Sequence, residues 1–246
     1  MNKSQSSNGK ASNRRNGPFK MSKAQKLQAS ITRFNQSSKK VSAPVAMSKI
    51  VKAGRPAFRS TPDGDITVSH REYIMDVEGA IAFTTEGFLI NPGNQILFPW
   101  LSNIAQNFET FEFEKLHFDY DTATNTTSTG VVMLSIDYDP QDPAPSGKTE
   151  VMASRGSVRT SAWEYCTHRS LREDLVKRKG LMVRRTNVTA QPSLLYDVGN
   201  LYVSRQGQAS TATVGELYVE YVVKFKTPQL NDAGEGDALS ARLGFV

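Results

Sequence analysis

Phe111-Glu112-Phe113-Glu114-Lys115-Leu116-His117-Phe118-Asp119-Tyr120-Asp121 is the stretch on which the fold turns. Its apolar side chains stand at odd positions 111 and 113, then at even positions 116, 118 and 120. A period of two belongs to a strand with one face on a core, and a helical stripe does not fit it. The one-residue change of phase predicts a bulge near Lys115, or burial of both faces at one end.

Working outward, the same signature recurs between turn residues. Towards the N-terminus lie Ile66–Ile74 and a strand closing at Gly87-Phe88-Leu89-Ile90-Asn91-Pro92-Gly93. Between the second of these and Phe111, residues 98–108 predict a short helix. Pro99 suits its first turn, and Trp100, Ile104 and Phe108 recur at four-residue steps. Towards the C-terminus, Gly130–Tyr138 is apolar throughout and predicts a strand buried on both faces. Val158–Cys166, Gly180–Arg185, Val198–Arg205 and Val214–Lys226 supply four more. Some eight strands, without strand–helix alternation, predict an all-β fold: an eight-stranded antiparallel jelly-roll sandwich.

Charge divides the chain. Residues 1–62 hold fourteen Lys and Arg and no Asp or Glu, and the remainder holds sixteen basic and all twenty-four acidic residues. The net +6 is thus +14 on the first quarter and −8 on the rest. So basic a segment cannot condense on itself and calls for a polyanion, of which nucleic acid is the foremost. We read residues 1–40 as a disordered basic RNA-binding arm, with helical spacing hinted at only over 21–34. Residues 41–62, punctuated by Pro44, Gly54 and Pro56, form an extended connecting arm; 63–228 is the jelly-roll domain and 229–246 a C-terminal tail. The phosphate contacts are assigned to Lys3, Lys10, Arg14, Arg15, Lys20, Lys23, Lys26, Arg33, Lys39 and Lys40. The plain alternatives are a solvated terminus or a nuclear-localisation signal.

A lone cysteine, Cys166, rules out an intrachain disulfide. With no signal-like or membrane-length apolar run, a cytosolic or nuclear chain is expected, and the sequons at Asn125 and Asn187 are expected to stay unmodified.

Three clusters bear on chemistry. Asp137-Tyr138-Asp139-Pro140-Gln141-Asp142-Pro143 places three carboxylates where an apolar strand runs into a Pro-rich turn. Their mutual repulsion is relieved by a hard cation, although the loop lacks the Gly and terminal Glu of an EF-hand. Three solvated turn aspartates are the alternative. Cys166 and His168 fall on one face of a strand, but no third group completes a nucleophilic site, and a buried Cys with an exposed His is the expected arrangement. No phosphate-binding, dinucleotide-binding or nucleophile-elbow motif is present, so no catalytic residue is assigned and the chain is read as not an enzyme. Lys177-Arg178-Lys179 with Arg184-Arg185 reads either as loop charge or as a second surface for the polyanion.

The order of these features resembles the coat proteins of small icosahedral positive-strand RNA viruses of plants, of the tombusvirus, necrovirus and sobemovirus kind. The resemblance rests on a basic arm, the connecting Ala43-Pro44-Val45-Ala46, and the shell motifs Phe88–Gly93, Phe98-Pro99-Trp100-Leu101 and Phe108-Glu109-Thr110-Phe111. Asp137–Asp142 is similar to the calcium-binding turn of those shells. The resemblance implies calcium at Asp137, Asp139 and Asp142, shared with a neighbouring subunit, for which Glu173 and Asp174 are the candidate partner ligands. It also implies a homo-oligomer of about 180 copies in a T=3 shell around single-stranded viral RNA, with no membrane or small-molecule partner. Localisation would be the virion, with assembly in the host cytoplasm. Because the sequence stops soon after its last strand, a smooth shell without a projecting domain is expected. Two other classes stay open: a non-capsid RNA-binding protein such as an RNA chaperone or silencing suppressor, and a jelly-roll enzyme. The latter would need a His or carboxylate cluster that His70, His117 and His168 do not suggest.

Overall fold

Backbone pairing turns the alternating pattern into two antiparallel sheets. The computed structural model describes residues 54–185 and 191–229. Its strands are β1 (Ala57–Ser60), β2 (Ile66–Glu78), β3 (Thr84–Leu89), β4 (Phe108–Thr122), β5 (Val131–Asp137), β6 (Val158–Ser161), β7 (Cys166–Arg169), β8 (Leu181–Met182), β9 (Asn200–Gln206) and β10 (Thr213–Pro228). Among the described residues four short helices join them: α1 (Leu101–Ala105), α2 (Lys148–Ala153), α3 (Arg172–Leu175) and α4 (Ser193–Tyr196). One sheet runs β1-β2-β10-β4-β7, with β8 beside β7 on the same edge of β4; the other runs β3-β9-β5-β6. This is the jelly-roll sandwich expected from the sequence.

The core forms where the inner faces meet. Phe111, Phe113, Leu116, Phe118 and Tyr120 of β4 face Val132, Leu134, Ile136, Leu201 and Val203 across the interior. The phase change in β4 is a bulge: Val222 pairs with Lys115 but Val223 with Phe113, leaving Glu114 as the extra residue. It restores Phe111 and Phe113 to the core side, from which a strict period of two would exclude them. β5 is buried on both sides as expected. Val132, Leu134 and Ile136 enter the core, while Met133 and Ser135 on the other face are also fully covered, with α2 lying across β5 and β9.

Several sequence expectations need correction. Val158–Cys166 is two strands, not one: Ser161–Glu164 makes a turn, and β6 and β7 end up in different sheets. Of Gly180–Arg185 only Leu181–Met182 pairs. Helix α1 is shorter than 98–108 and rotated by one residue. Leu101 and Ala105 are its buried face, and Trp100 and Ile104 are only partly covered. Residues 57–60, within the expected connecting arm, pair with β2 as the sheet's edge strand.

Glu72 explains where α1 begins. Its carboxylate lies on the core side of β2, almost fully buried, and accepts the Trp100 and Leu101 N–H groups at 2.6 and 3.1 Å. The Tyr221 hydroxyl donates to it as well, and burial against that carboxylate pushes the Tyr221 pKa up. A helix without a side-chain cap of its own thus receives one from a neighbouring strand.

Candidate functional site: an acidic turn at the end of β5

β5 runs out at Asp137 because Pro140 and Pro143 cannot continue a ladder. The turn closes on its own aspartates. Asp137 Oδ1 accepts the Asp139 N–H at 2.9 Å, Asp139 Oδ1 accepts the Gln141 N–H at 3.1 Å, and the Asp139 carbonyl accepts the Asp142 N–H at 3.2 Å. The two bonds to carboxylate oxygens are Asx-type, the local reason Asp suits such positions, and the third is a main-chain turn bond. From behind, Arg178 Nη2 donates to the Tyr138 carbonyl at 2.8 Å, and Lys177 lies 5.1 Å over the Tyr138 ring. Gly199 presses on the same strand end: a Cβ there would stand 2.1 Å from the Asp137 carbonyl oxygen.

Asp137 and Asp142 face an open cleft of about 350 Å³, with Glu150 and Tyr202 on its other walls. Asp139 does not line it and is exposed to solvent. The Ser146 N–H and hydroxyl bond Glu150 and hold its pKa below the ordinary carboxylate value. Burial, with the Asp137 and Asp142 charges added, raises that of Tyr202. The sequence did not single out Glu150. Its only local signal is the spacing Ser146 to Glu150 at the start of α2, one residue longer than a capping box.

These donors are hard oxygens, the set that calcium takes. They also form an incomplete set: among the described residues no three His, Cys, Asp or Glu side chains are close enough to hold a metal ion. The donors therefore fit calcium in kind, and a bound ion would need ligands from outside this subunit. Glu173 and Asp174, the candidates for that role, are engaged within the chain. Glu173 pairs with Arg155, and the buried Asp174 lies 3.2 Å from Arg155 and 3.1 Å from Lys177.

His168 is fully buried, against the exposed histidine expected, because its register partner Phe118 points into the core and carries His168 with it. Burial lowers its pKa to about 4 and pushes the Cys166 thiol up to about 12, so neither a strong base nor a thiolate stands there. Most of the second basic cluster is structural. Arg184 makes a twofold bond to the buried Asp197, Arg178 holds the Tyr138 and Asp197 carbonyls, and Arg185 bonds Gln229. Lys3, Lys10, Arg14, Arg15, Lys20, Lys23, Lys26, Arg33, Lys39 and Lys40 lie outside the described residues, as does the helical spacing over 21–34. No helix among the described residues is long and apolar enough to cross a membrane.

Comparison with known proteins decides what this architecture is. Residues 38–231 match the family described as viral coat protein (S domain). This chain belongs to that family. The coat-protein S domain here is 33% identical, over 196 residues, to the capsid protein of tomato bushy stunt virus (strain BS-3), covering 77% of this chain and 49% of the relative. It therefore spans about half the length of the curated relatives it matches. The crystal structure of melon necrotic spot virus superposes on the S domain with a TM-score of 0.69 at 30% identity, over 78% of this chain and 58% of that one. Tobacco necrosis virus shares the fold, with a TM-score of 0.70 at 18% identity over 81% of this chain and 99% of that one.

Proposed function

We propose that this chain is the capsid subunit of an icosahedral positive-strand RNA plant virus. One observation carries the proposal: the family match runs through the whole jelly roll, and the relatives it reaches are capsid proteins. Copies of the shell domain associate side by side into a closed cage, of about 180 subunits if the lattice is T=3. The basic arm supplies the inward charge. Fourteen cations per chain, summed over such a shell, amount to roughly 2,500 positive charges, a large share of a genome of a few thousand phosphates. The protein then resides in the virion and, during assembly, in the host cytoplasm.

The acidic turn is the proposed seam between copies. Asp137 is the last residue of β5 and Asp139 and Asp142 follow it, with Asp139 and Asp142 exposed to solvent and Asp137 half-buried. A bound calcium ion supplies the divalent charge that lets these carboxylates lie against those of a neighbour. Without a counter-charge they repel one another, and the seam loosens. Expression together with single-stranded RNA, followed by electron microscopy and sedimentation, tests the reading. Uniform icosahedral particles containing RNA are expected, sedimenting more slowly after chelation at pH 7.5. A monomer or small oligomer that binds RNA would instead identify a chaperone or silencing suppressor.

A further inference from the structure

The peptide unit between Tyr138 and Asp139 is gripped at both ends. Its carbonyl accepts from Arg178 Nη2 at 2.8 Å, and its N–H donates to Asp137 Oδ1 at 2.9 Å. Arg178 is itself anchored: its Nη1 donates at 3.2 Å to the carbonyl of Asp197, whose buried carboxylate is clamped by Arg184. A guanidinium with two donors fixed on two carbonyls cannot rotate freely, so it sets the plane of the peptide it holds. A cation on the carbonyl also polarises the amide and strengthens its N–H as a donor. That N–H is the group that orients the Asp137 carboxylate.

From this we infer that Arg178 is the positioning residue of the acidic turn. It acts through the 138–139 peptide to aim Asp137 at the cleft, and never touches a bound cation itself. The inference rests on the cation-site reading of that turn. It gives Arg178 a role that its place in a basic cluster does not suggest: its charge is spent on a backbone carbonyl, not on a phosphate. Lys177 supports the same unit from the ring side, over Tyr138, while its ammonium is 3.1 Å from Asp174. A single loop residue pair therefore fixes both the main chain and the side chain at the centre of the motif.

The test compares assembled particles of the full wild-type chain, in which the neighbouring subunit is present, with particles of Arg178→Met, which keeps length and loses both donors, and of Arg178→Lys, which keeps the charge. Terbium(III) is the calcium probe, since Tyr138 and Tyr202 near the turn sensitise its emission. Removing an outer partner of a ligand typically weakens metal binding by about 10- to 100-fold. That loss is expected for Arg178→Met, with Arg178→Lys in between. Hydrogen exchange of residues 136–142 in chelator is the second readout, and the Asp139 amide should exchange at least about tenfold faster in Arg178→Met. Terbium affinity equal to or tighter than wild type in the Met variant overturns the inference, even if its thermal midpoint falls. So does unchanged exchange at Asp139. If wild-type protein takes up no terbium, the cation reading fails, and the exchange experiment still decides whether Arg178 holds the turn. Should Arg178→Met not fold, Arg178→Lys is measured against wild type by the same criteria.

Discussion

Glu72 shows how much one side chain can carry. It is an acid on the core side of a strand, tolerated because two helix N–H groups and the Tyr221 hydroxyl surround it. Replacing it with Ala strands those donors in an apolar setting, so Glu72→Ala should lose about 3 kcal/mol, read from urea unfolding. His168 is the opposite case, a buried imidazole whose ring nitrogens find no hydrogen-bond partner among the other described residues. Its pKa falls from the ordinary 6.5 to about 4, through burial first and the nearby His117 second. Between those values the unfolded chain binds a proton that the folded chain refuses. This contribution to stability is complete above pH 6.5 and is lost as pH falls towards 4. The thermal midpoint of wild type should therefore drop more across that window than that of His168→Leu. Parallel curves for the two proteins would remove His168 from the acid response.

At the scale of elements, β10 ends on a backbone anomaly. Thr227 has φ 58°, a left-handed conformation that a β-branched residue adopts only under constraint. The constraint lies just beyond it: Pro228 pairs with Phe108, and Gln229 bonds Asn107 and Phe108 through its main chain and side chain at 2.9 and 2.8 Å. Thr227→Gly should relieve the strain and stabilise by about 0.5–1 kcal/mol, after the greater freedom of Gly in the unfolded chain is subtracted. Calorimetry checks the sign. The bulge in β4 could be read from sequence, because Phe113 and Leu116 break the parity of a single strand. The division of Val158–Cys166 could not, because its apolar spacing suits one strand as well as two. Only the need for β6 and β7 to join different sheets separates them.

For the whole molecule the governing fact is the separation of charge. Ten assigned cations on residues 1–40, if all contact phosphates, give a slope of about −7 in log affinity against log salt for single-stranded RNA. Deleting residues 1–40 should bring that slope close to zero while leaving the jelly roll folded. Filter binding between 50 and 200 mM salt, chosen as about the range over which such contacts weaken measurably, reads both. At the seam, Asp139→Asn combined with Asp142→Asn removes both calcium ligands and most of the repulsion, so the variant particles should sediment alike with and without chelator. Wild-type particles that stay compact in chelator would detach the acidic turn from shell cohesion.

The alternation of apolar residues, the Pro-rich end of β5 and the one-sided distribution of Lys and Arg are local or compositional properties. The linear sequence was enough to establish a β sandwich, an acidic turn and a strongly cationic first quarter of the chain. Which acids are silenced by partners was not local. Asp119 and Asp121 are taken up by Arg71, Asp174 by Arg155, and Glu72 by a helix end and by Tyr221, the last across 149 positions of chain. Glu150 joins Asp137 and Asp142 because α2 folds back over β5, and Arg178 reaches Tyr138 because the loop after α3 returns to the same rim. Those pairings depend on distances in space, and only the closed sandwich sets them.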